Sequence, residues 1–179
     1  MPQVNRKQMI LNSVMNSLSA EEYYNITTKT IAVQSDVTEA ALYKHFKGKL
    51  AIIKAVYEFI ELSVTDKIME IRNRPITANE KFEILFRFLV LFVEQNTGFA
   101  RILTREALTI QEKEIIDSVD NLYNNIKKEF LSYGLSDQQA DFVIITLQGV
   151  YCDFIRTRFK ILPSSNLDKL LLSVYKSLS

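Results

Sequence analysis

Four glycines and three prolines are the strong helix interrupters in 179 residues, and that scarcity constrains the fold more than anything else in the sequence. A helix interior loses about 1 kcal/mol per glycine and about 3 per proline relative to alanine, so a chain this sparing of both can run in long helices. With 47% of its residues apolar it can also cover them, and disorder is not expected. The apolar residues recur at helical spacing. Ile10, Val14 and Leu18 stand four apart beside Leu11 and Met15; Ile53, Val56, Ile60, Val64, Ile68 and Ile71 form one stripe, and Phe82, Leu85, Phe86, Leu89, Val90 and Val93 another. No strand alternation or repeat is seen. The expected fold class is all-α, with about nine helices.

The interrupters and capping residues set the expected boundaries. A first helix covers about Val4–Leu18. A long one covers 48–73 and stops at Arg74-Pro75, because the residue before a proline is pushed out of helical geometry. Another covers Ala78–Gln95 and stops at Thr97-Gly98. A short helix spans Phe99–Leu108, and 111–131 is helical through Ile115, Val119, Leu122, Ile126 and Phe130 up to Tyr133-Gly134. Ser136 caps the most apolar helix, Asp137–Phe159, and Leu167, Leu170, Leu171, Val174 and Leu178 stripe the last one after Pro163. The length suits a small head, residues 1–47, sharing a helix with a larger helical body, residues 48–179.

Bulk composition excludes several classes of function. With 22 Lys/Arg against 21 Asp/Glu the net charge is +1, so any positive face has to be local. The single cysteine, Cys152, sits among Val150, Tyr151, Phe154 and Ile155 and reads as a buried reduced thiol. No signal-peptide core and no run of about 18 apolar residues is present, so a soluble cytoplasmic protein without a membrane partner is expected. The carboxylates of Glu112–Asp120 have no histidine nearby and no EF-hand glycine, and read as a solvated helix face rather than a metal site. No Ser/His/acid or Cys/His pattern supports an enzyme, and no cofactor is implied.

Residues 26–54 carry the most local information. Thr27 can cap a helix running to about Gln34 with Ile31 and Ala32 facing inward; Ser35-Asp36-Val37 makes a turn, where Asp tolerates the left-handed backbone. Thr38 caps a second helix, Glu39–His45, anchored by Leu42 and Phe46. Two short helices around such a turn read as a DNA-reading element whose second helix enters the major groove. Thr27, Thr28, Tyr43, Lys44, His45 and Lys49 are the candidate phosphate contacts, and Thr38, Glu39 and Ala40, in the first turn of the reading helix, the candidate base contacts. Thr and Ala methyls suit thymine, and Glu can accept from cytosine N4. His45 could instead be a buried helix-end residue, and Tyr43 a core residue with a solvated hydroxyl.

Thr28, Ile31-Ala32, Val37-Thr38, Leu42-Tyr43, His45-Phe46 and Lys49 follow in order and spacing the helix-turn-helix pattern that this segment resembles, that of the TetR-type regulators. Residues 35–46, Glu58-Phe59-Ile60-Glu61, Arg101-Ile102-Leu103-Thr104 and Phe154-Ile155-Arg156 with Phe159-Lys160 are similar, more narrowly, to the nucleoid occlusion factors. The resemblance implies a homodimer on pseudo-palindromic double-stranded DNA, nucleoid-associated, that captures the C-terminal tail of the division protein FtsZ. It places the tail between the linking helix and the next, on Phe59, Lys67 and Asn96 with Phe88 as a further apolar contact. Lys67 and Gln95 stand where those factors have arginine, so charge is kept at the first and lost at the second. The dimer seam is expected on the last two helices, through Phe142, Val150, Phe154, Leu167, Leu171 and Val174. The alternative is a repressor released by a small-molecule effector held in the body. The Phe82–Phe92 aromatics could line such a site but read more simply as core.

Overall fold

The computed structural model describes residues 6–20, 25–106 and 112–178, which form nine α-helices and no strand. In chain order they are α1 (Arg6–Ala20), α2 (Thr28–Gln34), α3 (Glu39–His45), α4 (Lys49–Arg72), α5 (Ala78–Gln95), α6 (Thr97–Arg101), α7 (Lys113–Ser132), α8 (Asp137–Arg156) and α9 (Leu167–Leu178). A π-helical turn, Ile102–Glu106, prolongs α6, and a 3-10 turn, Pro163–Asn166, precedes α9.

Side chains that satisfy free N–H groups start these helices where the sequence places them. Thr27 with Thr30, Thr77 with Glu80 and Ser136 with Gln139 each form a reciprocal capping box, opening α2, α5 and α8. Gly48, at φ 142°, swings the chain out of the head and into α4 without a side-chain cap. Asp36 takes the left-handed backbone, φ 53°, in the turn between α2 and α3.

Two ends depart from the sequence expectation. The helix expected to reach Phe159 stops at Arg156, because Arg158 and Phe159 are left-handed at φ 52° and 60°. The Phe159 N–H returns to the Phe154 carbonyl at 2.9 Å and its ring meets that of Phe154 edge-on at 5.0 Å, a helix end closed by an apolar contact. The short helix begins at Thr97, two residues early, and widens to a π turn after Arg101; residues 107 and 108, expected to finish it, lie outside the described residues.

One core runs through head and body. Ile10, Val14 and Leu18 of α1, Ile31, Leu42 and Ile53 are all at most 2% exposed and close the head. Along α4 the burial continues through Ile60, Val64, Ile68 and Ile71 into the body, where α5, α7 and α9 meet around Phe82, whose ring lies 5.3 Å from Phe130 and 5.6 Å from Tyr175. Cys152 is exposed, correcting the buried-thiol reading. Its apolar sequence neighbours Tyr151 and Phe154 turn into the core while it turns away.

Arg72, at the end of α4, reaches Glu129 of α7, a carboxylate with no exposed surface, through Nε at 2.9 and 3.1 Å to its two oxygens and through a further bond from Nη2. Removing one partner of a buried pair strands the other charge. We expect Arg72→Ala to lower stability by about 2–3 kcal/mol, under the roughly 3–5 of a fully buried pair because Arg72 is largely solvated. Arg72→Met with Glu129→Gln should recover most of it. Urea midpoints of the parent and the two variants check this.

Candidate functional site

The α2–α3 turn builds a continuous polar face from residues eleven to fifteen positions apart. Thr28 Oγ1 donates to Glu39 Oε1 at 2.9 Å and stands 3.4 Å from the Tyr43 hydroxyl, so three of the candidate DNA contacts touch. Tyr43 is 52% exposed, which places it on the surface rather than in the core, and His45 is exposed, which rules out the buried helix-end reading. Thr27, Thr38, Glu39, Ala40 and Lys44 are exposed as well, while Thr28 and Lys49 are half-buried. Beneath this face Ile31, Ala32, Leu42 and Phe46 are buried and hold α3 in place, and Lys7 of α1 lies 5.8 Å from the centre of the Phe46 ring.

Two of these groups are partly committed. The Thr38 hydroxyl oxygen accepts from the Ala41 N–H at 3.1 Å to cap α3, which leaves its methyl and its proton to face a ligand. One Glu39 oxygen is taken by Thr28. Lys29, exposed at the start of α2, belongs to the same surface by position; it lies outside the family motif, and its place next to Thr28 on an N-terminal turn is the signal that points to it.

The second candidate surface lies between α4 and α5. Its rings form a row: Phe59 to Phe99 at 6.2 Å, Phe99 to Phe92 at 5.1 Å, Phe92 to Phe88 at 5.2 Å, and Lys67 Nζ 5.7 Å above Phe88. Asn96 closes the far end, its amide bonded to the Phe92 carbonyl at 2.8 Å. The four residues assigned to a partner are thus on one surface, joined by Phe92 and by the buried Phe99, neither of which sequence reasoning placed there. The pattern groups Phe92 with the core aromatics, and the series splits: Phe82 and Phe86 are buried, Phe88 and Phe92 half-buried on this surface. Lys67 is already paired, to Glu70 at 2.8 Å, and Glu70 also holds Arg74. Hydrogen bonds from Lys67 first and Arg74 next hold the Glu70 carboxyl below its ordinary value, so it stays charged at neutral pH.

The expected dimer residues divide. Phe154, Leu167, Leu171 and Val174 are only 1–5% exposed, filled into the protomer's own core, and cannot form the outer surface of a seam. Phe142, 40% exposed, and the half-buried Val150 remain reachable. The outward apolar residues of α8 and α9 are Phe142, Ile145 and Leu172, the last two at 66% and 56% exposure, with Gly149 open between turns. Hydrophobic spacing identifies an apolar stripe but not which of two stripes is inside.

A cavity of about 710 Å³ lies apart from both surfaces, between the π turn, α7 and α8, lined by Leu103, Val119, Tyr123, Gln148, Cys152 and Ile155 among others. Among the described residues no group of three His, Cys, Asp or Glu could hold a metal, and no helix is long and apolar enough to cross a membrane.

Comparison with known proteins bears on the head first. Residues 10–56 match the family model of the bacterial regulatory proteins, tetR family, which covers α1 through the start of α4. Residues 10–56 are thus similar to the helix-turn-helix part of that family. The whole chain has that fold: the fatty acid degradation regulator FadR of Bacillus halodurans superposes with a TM-score of 0.79 over 97% of this chain and 96% of its own, at 14% identity. The ketosteroid transcriptional regulator KstR2 of Mycobacterium tuberculosis does so at 0.79, over 99% and 97%, at 16% identity. Sequence similarity is higher to proteins named nucleoid occlusion factor SlmA. That of Shewanella baltica is 26% identical over 94% of this chain and 92% of its own length, and that of Aliivibrio fischeri 28% identical over 92% and 91%. The chain thus has the fold of the TetR-type regulators and is similar to them in sequence over residues 10–56.

A cation facing phosphate and a methyl facing a base leave different traces. Lys44→Ala should weaken binding to all duplexes alike and reduce the slope of log affinity against log salt by about 0.9 for each phosphate left without its cation. Thr38→Ser keeps the capping oxygen and removes only the methyl; it should change sequence preference while leaving the salt slope intact. Salt-dependent anisotropy titrations on selected and random duplexes separate the two.

Proposed function

We propose that this chain is a nucleoid occlusion factor, a homodimer that binds pseudo-palindromic DNA sites and, when bound, captures the C-terminal tail of FtsZ in the α4–α5 groove and blocks division-ring assembly over the chromosome. One observation carries the reading: the likeness to SlmA proteins runs through the body, over 92–94% of the chain, instead of ending with the head. Body sequences face few constraints from DNA, so similarity there speaks for a shared partner. Thr27, Thr28, Tyr43, Lys44, His45 and Lys49 hold phosphates, and Thr38, Glu39 and Ala40 face bases. The groove offers Phe59, Phe88 and Phe92 for an apolar tail residue, Lys67 for a carboxylate and Asn96 for the backbone.

Lys67 meets an acidic tail only by leaving Glu70, and Gln95 brings no charge, so apolar contact on the phenylalanine row supplies most of the affinity. The second reading, a repressor released by a small molecule, is favoured by the cavity beside Tyr123, whose volume lies in the range of ligand sites. The two readings differ in sign. A nucleoid occlusion factor binds the tail more tightly with specific DNA present, and linkage requires the tail to strengthen DNA binding by the same factor. A repressor loses DNA affinity on binding its effector and ignores the tail.

Phe59→Ala should abolish tail capture and spare DNA binding. A labelled FtsZ tail peptide titrated with selected, scrambled and no duplex tests this, and equal weak binding in all three overturns the reading. The dimer has its own test. Ile145→Glu places a charge on the outward face of α8, where the protomer core is untouched, and should halve the mass in sedimentation while preserving helicity. Phe154→Glu, by contrast, should unfold the protomer, because it buries that charge.

A further inference from the structure

We propose that the Thr28 hydroxyl is a positioning group for base reading: it pins one oxygen of Glu39 so that the other faces the bases, and Glu39 thereby selects cytosine at one position of each half-site and rejects guanine and thymine. The proposal rests on the preceding reading for the placement of α3 in the major groove, and adds to it which base is read and what holds the reader.

Thr28, half-buried on α2, donates from Oγ1 to Glu39 Oε1 at 2.9 Å, across the turn that joins the two helices. Glu39 is exposed and stands in the first turn of α3. Unheld, a glutamate there has rotamer freedom to lose before it can meet a base. Held through one oxygen it keeps the other free, and the position of that atom is set by two helices instead of one. The hydroxyl has a single proton. While the carboxylate holds it, Thr28 has none to donate to a phosphate, so the phosphate contact implied by resemblance and the pairing seen in the structure exclude each other. Tyr43 takes the other part. Its hydroxyl lies 3.4 Å from Thr28 Oγ1, farther than the carboxylate, and a neutral oxygen accepts more weakly than a charged one. The Thr28 proton therefore stays with Glu39, and the Tyr43 O–H can turn to a phosphate.

A carboxylate only accepts. In the major groove guanine shows the acceptors N7 and O6 and thymine the acceptor O4, each of which repels a carboxylate oxygen, whereas cytosine shows a donor at N4. Adenine has a donor at N6 with the acceptor N7 beside it, and falls between. The selectivity is thus largely rejection, and rejection works only through a group that cannot swing aside, which is what the bond from Thr28 provides. The competing account gives the pair a structural duty alone, tying α2 to α3. The two differ in what their loss does: a lost tie lowers melting temperature and affinity for every duplex together, whereas a lost positioning group flattens the preference at one base position.

The test starts from a duplex selected out of random sequence, makes each half-site position in all four base pairs, and reads affinity by anisotropy. The parent should prefer cytosine over guanine or thymine by about tenfold at one position. Glu39→Gln, whose amide both donates and accepts, should move that preference to adenine. Thr28→Val, close in shape but without the hydroxyl, should flatten it to about twofold, Thr28→Ser should keep it, and Thr28→Val added to Glu39→Ala should change nothing further at that position. Thermal melting with circular dichroism shows which variants fold, and Thr28→Ala replaces Thr28→Val if the latter does not. Equal weakening on all four bases by Thr28→Val, with the cytosine preference retained, overturns the proposal and leaves Thr28 a phosphate contact or a tie. If Glu39→Gln and Glu39→Ala both leave every position as in the parent, α3 does not face the bases, and the reading of the head fails with the proposal. A preference that moves with Glu39→Gln but ignores Thr28→Val keeps that reading and removes the positioning role alone.

Discussion

The seam between α1 and α6 is the constraint on which the placement of everything else depends. Most helix pairs are held 8–10 Å apart by the side chains between them, but at Gly98 the missing side chain lets one backbone rest on the Met15 carbonyl of the other. That contact brings Ile10, Val14 and Leu18 of the head and Phe99, Ala100 and Ile102 of the body into one buried cluster. Head and body are thus less independent than a division at residue 47 implies, since the head is joined to the body through α1 as well as through α4. A two-point attachment fixes orientation where a single helix would leave a hinge.

What the sequence disclosed follows from how local each cause is. The starts of α3 and α8 were legible because Thr38 and Ser136 act on N–H groups within three positions of themselves. The left-handed turn at Asp36 was legible for the same reason. The end of α8 was not, because Phe159 turns back to meet Phe154 and nothing in a helical apolar pattern announces the reversal. The π turn after Arg101 depends on Tyr57 and Tyr123, 45 and 20 positions from the carbonyls they bind. Cys152 and the division of α8 into an inner and an outer stripe show a further limit: Phe142, Ile145, Leu147 and Phe154 are all apolar, and only packing decides which two are inside. In the groove, the residues carried by resemblance fell on one surface, whereas Phe92 and Phe99, which join them, have no signature except adjacency in space.

Both candidate surfaces present polar groups that are already partnered. On the head, Thr28 holds Glu39 and Thr38 spends its oxygen on the start of α3; in the groove, Glu70 holds Lys67. Prior pairing has opposite consequences in the two places. On the proposed DNA face it holds side chains in place beforehand, which would lower the ordering entropy lost on binding a duplex. In the groove it neutralises the cation an acidic peptide would seek, so charge guides approach weakly and the phenylalanine row has to hold what arrives.

That asymmetry bears on how the phenylalanine row could hold a peptide at all. An aromatic row half-covered by its own neighbours gains from a peptide only the apolar area still exposed, at about 25 cal/mol per Å², and the half-buried state of Phe59, Phe88 and Phe92 keeps that area small. A surface whose one nearby cation is already paired has little charge left to steer an acidic peptide, so on the proposed reading the exposed area of the rings decides how tightly such a peptide is held.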